Sequence, residues 1–197
     1  CDGIVESLVK SDPFLAGYYS VLVNVNDVVA KGARPIGFVN IISSSSSEVR
    51  RKVAEGIQKG LMKYKLKLLK GHTHPDTSYD CVDAAAVGLA RNILPSTTAK
   101  AGDSLIIAMD LDGKFSSKGW LKTFDSTTMK SSQEVLERLN SMIELAEGEL
   151  AHAARDISGP GITGTLAMLC ESSQTGARVD LGSIPKPADV KLEEWLT

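Results

Sequence analysis

The sequence has few cysteines, few aromatics, no excess of either charge and no long apolar run. Cys1, Cys81 and Cys170 are its three thiols in 197 residues. The number is odd, the spacing is wide and no Cys-x-x-Cys pair occurs. That argues against a disulfide framework or a cysteine zinc site, and for a reducing compartment, the cytoplasm. Lysine and arginine number 22 against 24 Asp and Glu, a formal charge of −2. Nucleic-acid and anionic-membrane binders draw much of their affinity from basic excess, so both partners are disfavoured. No window reaches the roughly 18 apolar residues of a membrane span. Aromatics make up 5% of the chain, and Arg50, Arg51, Lys52, Lys59 and Lys63 have none interleaved among them. That basic stretch reads as a solvated helix face.

What remains is 43% hydrophobic and 23% charged. This is an ordinary globular composition in a chain long enough for one or two domains. The chain starts at Cys1 without an initiator Met and stops just after Leu192-Glu193-Glu194-Trp195-Leu196. The expectation is a piece of a longer protein.

Hydrophobic periodicity predicts an alternation of helices and strands. Helices are expected over 15–31, 48–63 and 162–171. Another is expected behind the capping-box pattern Ser131-Ser132-Gln133-Glu134, with Val135, Leu139, Met142, Ala146 and Leu150 on one face. Strands are expected over 35–42, 65–69, 84–90, 104–109 and 176–181. The five serines from Ser43 to Ser47 read as a loop ending in a helix cap. Residues 110–130 are polar and poor in pattern, so the domain boundary is expected near 111.

Four segments are too polar for simple packing. Cys1-Asp2-Gly3-Ile4 sets a carboxylate beside a permissive glycine. Asn24, Asn26 and Asp27 interrupt a β-branched, helix-like run, although Asn and Asp disfavour helix interiors. A carboxylate there suits a hard cation such as Mg²⁺, and a local side-chain to backbone bond is the plainer alternative. Gly71-His72-Thr73-His74-Pro75-Asp76-Thr77 is read either as a hydrogen-bonding loop facing water or phosphate, or as a zinc site with Cys81. Arg155-Asp156-Ile157-Ser158-Gly159-Pro160-Gly161 is a glycine-rich helix entry of the kind that approaches phosphate.

In this order the segments resemble a known superfamily. Asp2-Gly3, Asp12-Pro13 with Gly17, Asn24-Val25-Asn26-Asp27, Gly32-Ala33-Arg34-Pro35, Gly71-His72-Thr73, Gly102-Asp103-Ser104 and Asp156-Ile157-Ser158-Gly159-Pro160-Gly161 are similar to aminoimidazole ribonucleotide (AIR) synthetase and its relatives. That PurM-like superfamily includes selenophosphate synthetase and thiamine-monophosphate kinase. The His-Thr string is most similar to its AIR synthase-related and methanogenesis-marker branch. The resemblance implies an α/β (α+β) two-domain architecture. Residues 1–110 would form an N-terminal ATP-binding domain, whose ferredoxin-like sheet pairs into a dimer barrel, and 111–197 part of a second α/β domain.

It further implies an ATP- and Mg²⁺-dependent homodimer that phosphorylates a small-molecule acceptor. Asp2, Asp27 and Asp156 would be metal ligands, and His72 and Thr73 the catalytic contacts to phosphate or substrate. Asn24, Asn26, Gly71, Gly159 and Gly161 would bind the nucleotide. Lys70 stands where the family has a glycine before its His-Thr pair, and the family's paired Asp-Asp segment is expected upstream of Cys1. A non-catalytic nucleotide-binding or assembly module of the same fold is the alternative.

Overall fold

The computed structural model describes residues 1–118 and 121–196. They divide into two compact units, 1–93 with 132–150, and 94–131 with 151–197.

The first unit opens with strand β1 (Asp2–Ile4), short helix α1 (Glu6–Ser11) and helix α2 (Pro13–Ala30). Asp12 starts α2, its side chain accepting the Leu15 N–H at 2.9 Å, with Pro13 in the first turn where its missing N–H costs nothing. Strand β2 (Arg34–Ser43) leads through helix α3 (Ser47–Tyr64) to β3 (Leu68–His74), and β4 (Cys81–Leu89) follows. The serine run does end in a cap, with Ser46 Oγ accepting the Val49 N–H at 3.2 Å. Arg51 on the basic face of α3 is exposed, lying between Glu48 at 2.6 Å and Glu55 at 2.5 Å, whereas Lys63 of the stretch expected to be solvated is buried.

The strands make one mixed sheet in the order β1-β4-β2-β3, with β3 parallel to β2 and the other two pairs antiparallel. Helices α2 and α3 cover one face, packing Val21, Val25, Val53 and Ile57 against Phe38, Ile42 and Val82, all nearly fully buried. The other face stays open, exposing Val39, Ile41, Leu69, Val87 and Leu89.

The two helices cross at backbone distance. A Cβ on Gly17 would lie 2.0 Å from the Val53 carbonyl oxygen, and one on Gly56 would lie 1.9 Å from that of Phe14. Gly32, at φ 74°, turns the chain from α2 into β2, and a Cβ there would meet Ala146 at 2.2 Å. Ala146 belongs to α4 (Ser132–Glu147), which buries Val135, Ile143 and Ala146 in this unit, while Leu150 of the expected face is exposed.

Strand β3 corrects the expected strand over 65–69. Lys65 is instead the left-handed C-cap of α3, at φ 50°. The strand runs on to His74 because β2 supplies it with parallel partners that far.

The second unit holds a hairpin, β5 (Lys114–Lys118) and β6 (Leu121–Asp125), inside the stretch expected to be patternless. Its ends are tied by polar groups. The largely buried Lys130 ammonium lies 3.1 Å from Asp110 and 3.4 Å from Asp112, and donates to the Ser126 carbonyl at 3.0 Å. Burial would raise the Asp125 carboxyl, but the Thr128 hydroxyl and the Thr127 and Thr128 N–H groups outweigh it and hold the pKa below the ordinary value. Helix α5 (Gly161–Ser172) and short α6 (Leu192–Trp195) complete this unit. Ile162, Ile184 and Leu196 form its small core, and Phe124 meets Trp195 edge to face with ring centres 5.0 Å apart.

The expected strands at 104–109 and 176–181 are not strands. Leu105 and Ile106 are exposed, and 176–181 is irregular, leading into a single 3₁₀ turn at Leu181–Ser183. A strand needs a neighbour for its hydrogen bonds, and neither segment has one among the described residues. No helix among the described residues is long and apolar enough to cross a membrane.

Gly56→Ala tests the crossing. In a free helix Ala is favoured over Gly by roughly 1 kcal/mol. Here overpacking should reverse the sign, destabilising the first unit by about 1–3 kcal/mol. Denaturant unfolding would show a lowered midpoint, and a raised one would refute the close crossing.

Candidate functional site

The pleat and register of the first unit sort its polar residues by face. Asp2 pairs with Ala84, Ala84 with Asn40, and Asn40 with Gly71, one straight row across all four strands. Directly opposed residues point to the same side. Ala84 and Asn40 are buried, so this row lies on the side that the helices cover. The next row on that side is Ile4, Val82, Ile42 and Thr73. At about 4.8 Å per strand, Asp2 and Gly71 stand about 14 Å apart at opposite edges. Gly71 keeps the row open, since a Cβ there would sit 3.4 Å from Asn40 Oδ1.

Helix α2 brings Asn24 and Asp27 to this side. They are three residues apart, hence neighbours on one helix face. The Cys1 nitrogen lies 3.9 Å from Asp27 Oδ2, so Asp27 stands beside the start of β1. Asp2 Oδ1 accepts the Gly3 N–H at 2.8 Å. Asn24 is almost fully buried, and its amide nitrogen donates to the Ser20 carbonyl at 2.8 Å. Its Oδ1 is buried with no partner among the described residues. The plainer reading holds for Asn24, because the local bond exists, in an unbroken helix, and it satisfies only the nitrogen half of the amide. Asn26, about 200° further round the helix, faces elsewhere.

His72 and Thr73 are adjacent in sequence but point to opposite faces. Thr73 pairs with buried Ile42, while His72 pairs with exposed Ile41, in a row shared with Gly3 and Asp83. His74, two residues on, shares the His72 face, and the two ring centres are 4.7 Å apart. Cys81 opposes Ser43 on β2, which puts it two strand spacings, about 10 Å, from β3. Its thiol donates to Asp83 Oδ2 at 3.1 Å. Burial first, then Asp83, pushes the Cys81 thiol up to about 11. It is a protonated side chain engaged with Asp83, not a third ligand beside the histidines.

In the second unit Asp156 precedes α5. Gly159 has open space around it, and Gly161 takes φ 71° at the helix start. The Gly161 N–H donates to Ser158 O at 2.9 Å and the Thr163 N–H to Leu196 O at 3.4 Å. Much of that helix end is thus already satisfied within the unit. Asp103 accepts the Lys100 N–H at 2.8 Å and meets His152 Nδ1 at 2.8 Å. These contacts, the Lys100 N–H foremost, hold its carboxyl below the ordinary value.

Among the described residues no three His, Cys, Asp or Glu side chains gather into a group that could hold a metal ion. A surface groove of about 690 Å³, lined by Val29, Arg34, Lys65 and Asn140 among others, contains none of the expected site residues. Asn40 was not among the expected residues. Its signal is visible as the one amide in the apolar run Phe38-Val39-Asn40-Ile41-Ile42.

The fold is a mixed α/β arrangement of the PurM-like class. PurL of T. maritima, in a structure complexed with ATP, superposes with a TM-score of 0.67 at 17% identity, over 99% of this chain and 33% of that one. The AIR synthase related protein N-terminal domain matches residues 1–90, and the corresponding C-terminal domain matches 100–197. The chain belongs to the AIR synthase-related family. An uncharacterized protein of Methanocaldococcus jannaschii is 42% identical over 92% of this chain and 56% of its own length. Thiamine-monophosphate kinase of Pyrococcus abyssi is 28% identical over 89% and 57%. The chain thus spans a little over half the length of these relatives.

Two measurements check the titrating groups. At pH 8 a thiol with a pKa of about 11 is about one part in a thousand thiolate. Cys81 should therefore react with a disulfide reagent at least tenfold more slowly than exposed Cys1, and equal rates would contradict the Cys81–Asp83 bond. The lowered Asp103 carboxyl contributes stability above the ordinary Asp range, near pH 3.9. That contribution is lost as pH falls through the lower folded value. Asp103→Asn should remove this part of the acid sensitivity of unfolding, and an unchanged acid profile would count against it.

Proposed function

We propose that the chain is the nucleotide-handling part of an ATP- and Mg²⁺-dependent phosphotransferase that phosphorylates a small-molecule acceptor. The observation that carries the reading is the row of Asp2, Asn40 and Gly71 on the sheet face that α2 covers, with Asp27 beside the start of β1. It lies in a chain matched along both halves by the AIR synthase-related family. The similarity to a thiamine-monophosphate kinase and to a PurL structure complexed with ATP supports it as analogy.

The donors suit a hard cation. Asp2 and Asp27 offer carboxylate oxygens, and Asn24 Oδ1 is a buried acceptor without a partner among the described residues. Asp2 and Asp27 would hold Mg²⁺, which when bound would offset charge on the phosphates; the family resemblance proposes Asp156, in the second unit, as a metal ligand as well. Asp2 is held by the Gly3 N–H. Gly71 leaves room above Asn40, and Thr73 at the strand edge offers a hydroxyl to a phosphate oxygen. Asn26 would contact the nucleotide from another side of α2, and the family resemblance proposes Gly159 and Gly161 of the second unit as nucleotide-binding residues. His72, on the opposite sheet face from Thr73, would meet the acceptor rather than the nucleotide.

A second copy of the chain is the partner proposed for the open sheet face. Val39, Ile41, Leu69, Val87 and Leu89 would then leave water as two sheets pair into a barrel. Residues 1–110 and 111–197 would be the N- and C-terminal domains of this arrangement. A binding or assembly module without turnover is favoured by one observation, that no three acidic or imidazole groups converge among the described residues. ATP-dependent phosphate release with candidate acceptors separates the two readings.

Calorimetry with Mg·ATP tests the site. Asp27→Asn should weaken Mg·ATP binding at least tenfold while leaving unfolding unchanged. Binding equal to that of the unsubstituted chain would remove Asp27 from the site.

A further inference from the structure

His72 and His74 are not absorbed by the nucleotide site. They lie two residues apart on β3, so their side chains share one face of the strand. That face is the open one, through the pairing of His72 with Ile41, and both residues are exposed. Among the described residues strand β3 is the sheet edge, with no further strand beyond it. The rings meet edge to face with centres 4.7 Å apart and planes at 73°.

We propose that His72 and His74 form a two-imidazole chelate for a divalent transition metal of the zinc–copper class. Two imidazoles that share one ion at about 2.0–2.1 Å from each nitrogen have ring centres about 5 Å apart. The observed spacing needs only a few tenths of an ångström of opening. Imidazole is the ligand type that zinc, copper and nickel prefer, whereas Mg²⁺ demands oxygen. The pair therefore selects against the ion assigned to Asp2 and Asp27. In the single chain both imidazoles are exposed, and water completes the coordination there. Cys81 takes no part, because its thiol is two strands away and bonded to Asp83. The ring contact holds the two imidazoles close before any ion arrives, which lowers the ordering cost of binding.

His72 also has a part in the acceptor reading above and His74 has none, so the experiment uses the chain without nucleotide or acceptor and relies on His74 to separate the two. The nucleotide-free chain is titrated with ZnCl₂ by calorimetry, with MgCl₂ in excess to occupy oxygen sites. One zinc per chain is expected. His72→Ala and His74→Ala should each weaken zinc binding tenfold or more, since a single imidazole loses the chelate. Cys81→Ser should leave it unchanged. His72→Gln and His74→Gln serve as second variants should either alanine substitution lower the unfolding midpoint. His74→Ala should also keep Mg·ATP binding, so failure of that binding in the unsubstituted chain bears on the nucleotide reading and not on the zinc pair. Zinc affinity that neither histidine substitution changes, or that Cys81→Ser weakens equally, overturns the proposal.

Discussion

The first unit depends on how closely α2 can approach α3. Gly17 and Gly56 let each helix lie against a carbonyl of the other, at distances that would place a Cβ about 2 Å from backbone oxygen. Backbone cannot move aside as a side-chain tip can, so the crossing has no slack. The contact fixes the rotation of α2 about its axis. It thereby decides that Asn24 is buried, that Asp27 stands beside β1, and that Asn26 faces another way. A candidate binding site is set here by two residues that contribute no functional group.

The sheet then divides what the helices leave. On its covered side an uninterrupted row runs from Asp2 through Asn40 to Gly71, with buried polar atoms close to apolar ones. On its open side apolar residues occupy one end, while Asp83, Cys81, His72 and His74 occupy the other. Period-two alternation cuts the Gly71-His72-Thr73-His74 string into two chemistries, glycine and threonine toward the helices and two imidazoles away from them. The residues proposed to meet a phosphate and the proposed imidazole pair thus alternate along one strand on opposite faces.

Much of this was legible in the chain. Helices α2, α3 and α5 and strands β2 and β4 followed their apolar periods closely, because burial on one face imposes a period wherever it occurs. The AIR synthase-related motifs pointed to the family that both halves of the chain match. Strand β3 was placed too early because Gly71 to His74 has no apolar member, and only β2 alongside defines it as strand. Segments 104–109 and 176–181 have the right composition for strands yet pair with nothing among the described residues. The hairpin of β5 and β6 was hidden for the opposite reason. Its closure comes from Lys130, Asp110 and Asp125, whose contacts have no period to detect.

The sequence by itself determined which segments could bury an apolar face, which carboxylates and amides stand in the order of the AIR synthase-related family, and which partners the charge balance disfavours. Those are properties of composition and short-range spacing. Tertiary structure alone decided that Asn40 joins the row of Asp2 and Gly71, that Asn24 keeps an unpartnered oxygen, and that His72 turns to the side opposite Thr73. The physical reason is that a strand's pleat and a helix's period are local, whereas the face that becomes buried, and the neighbour that supplies each hydrogen bond, come from residues distant along the chain.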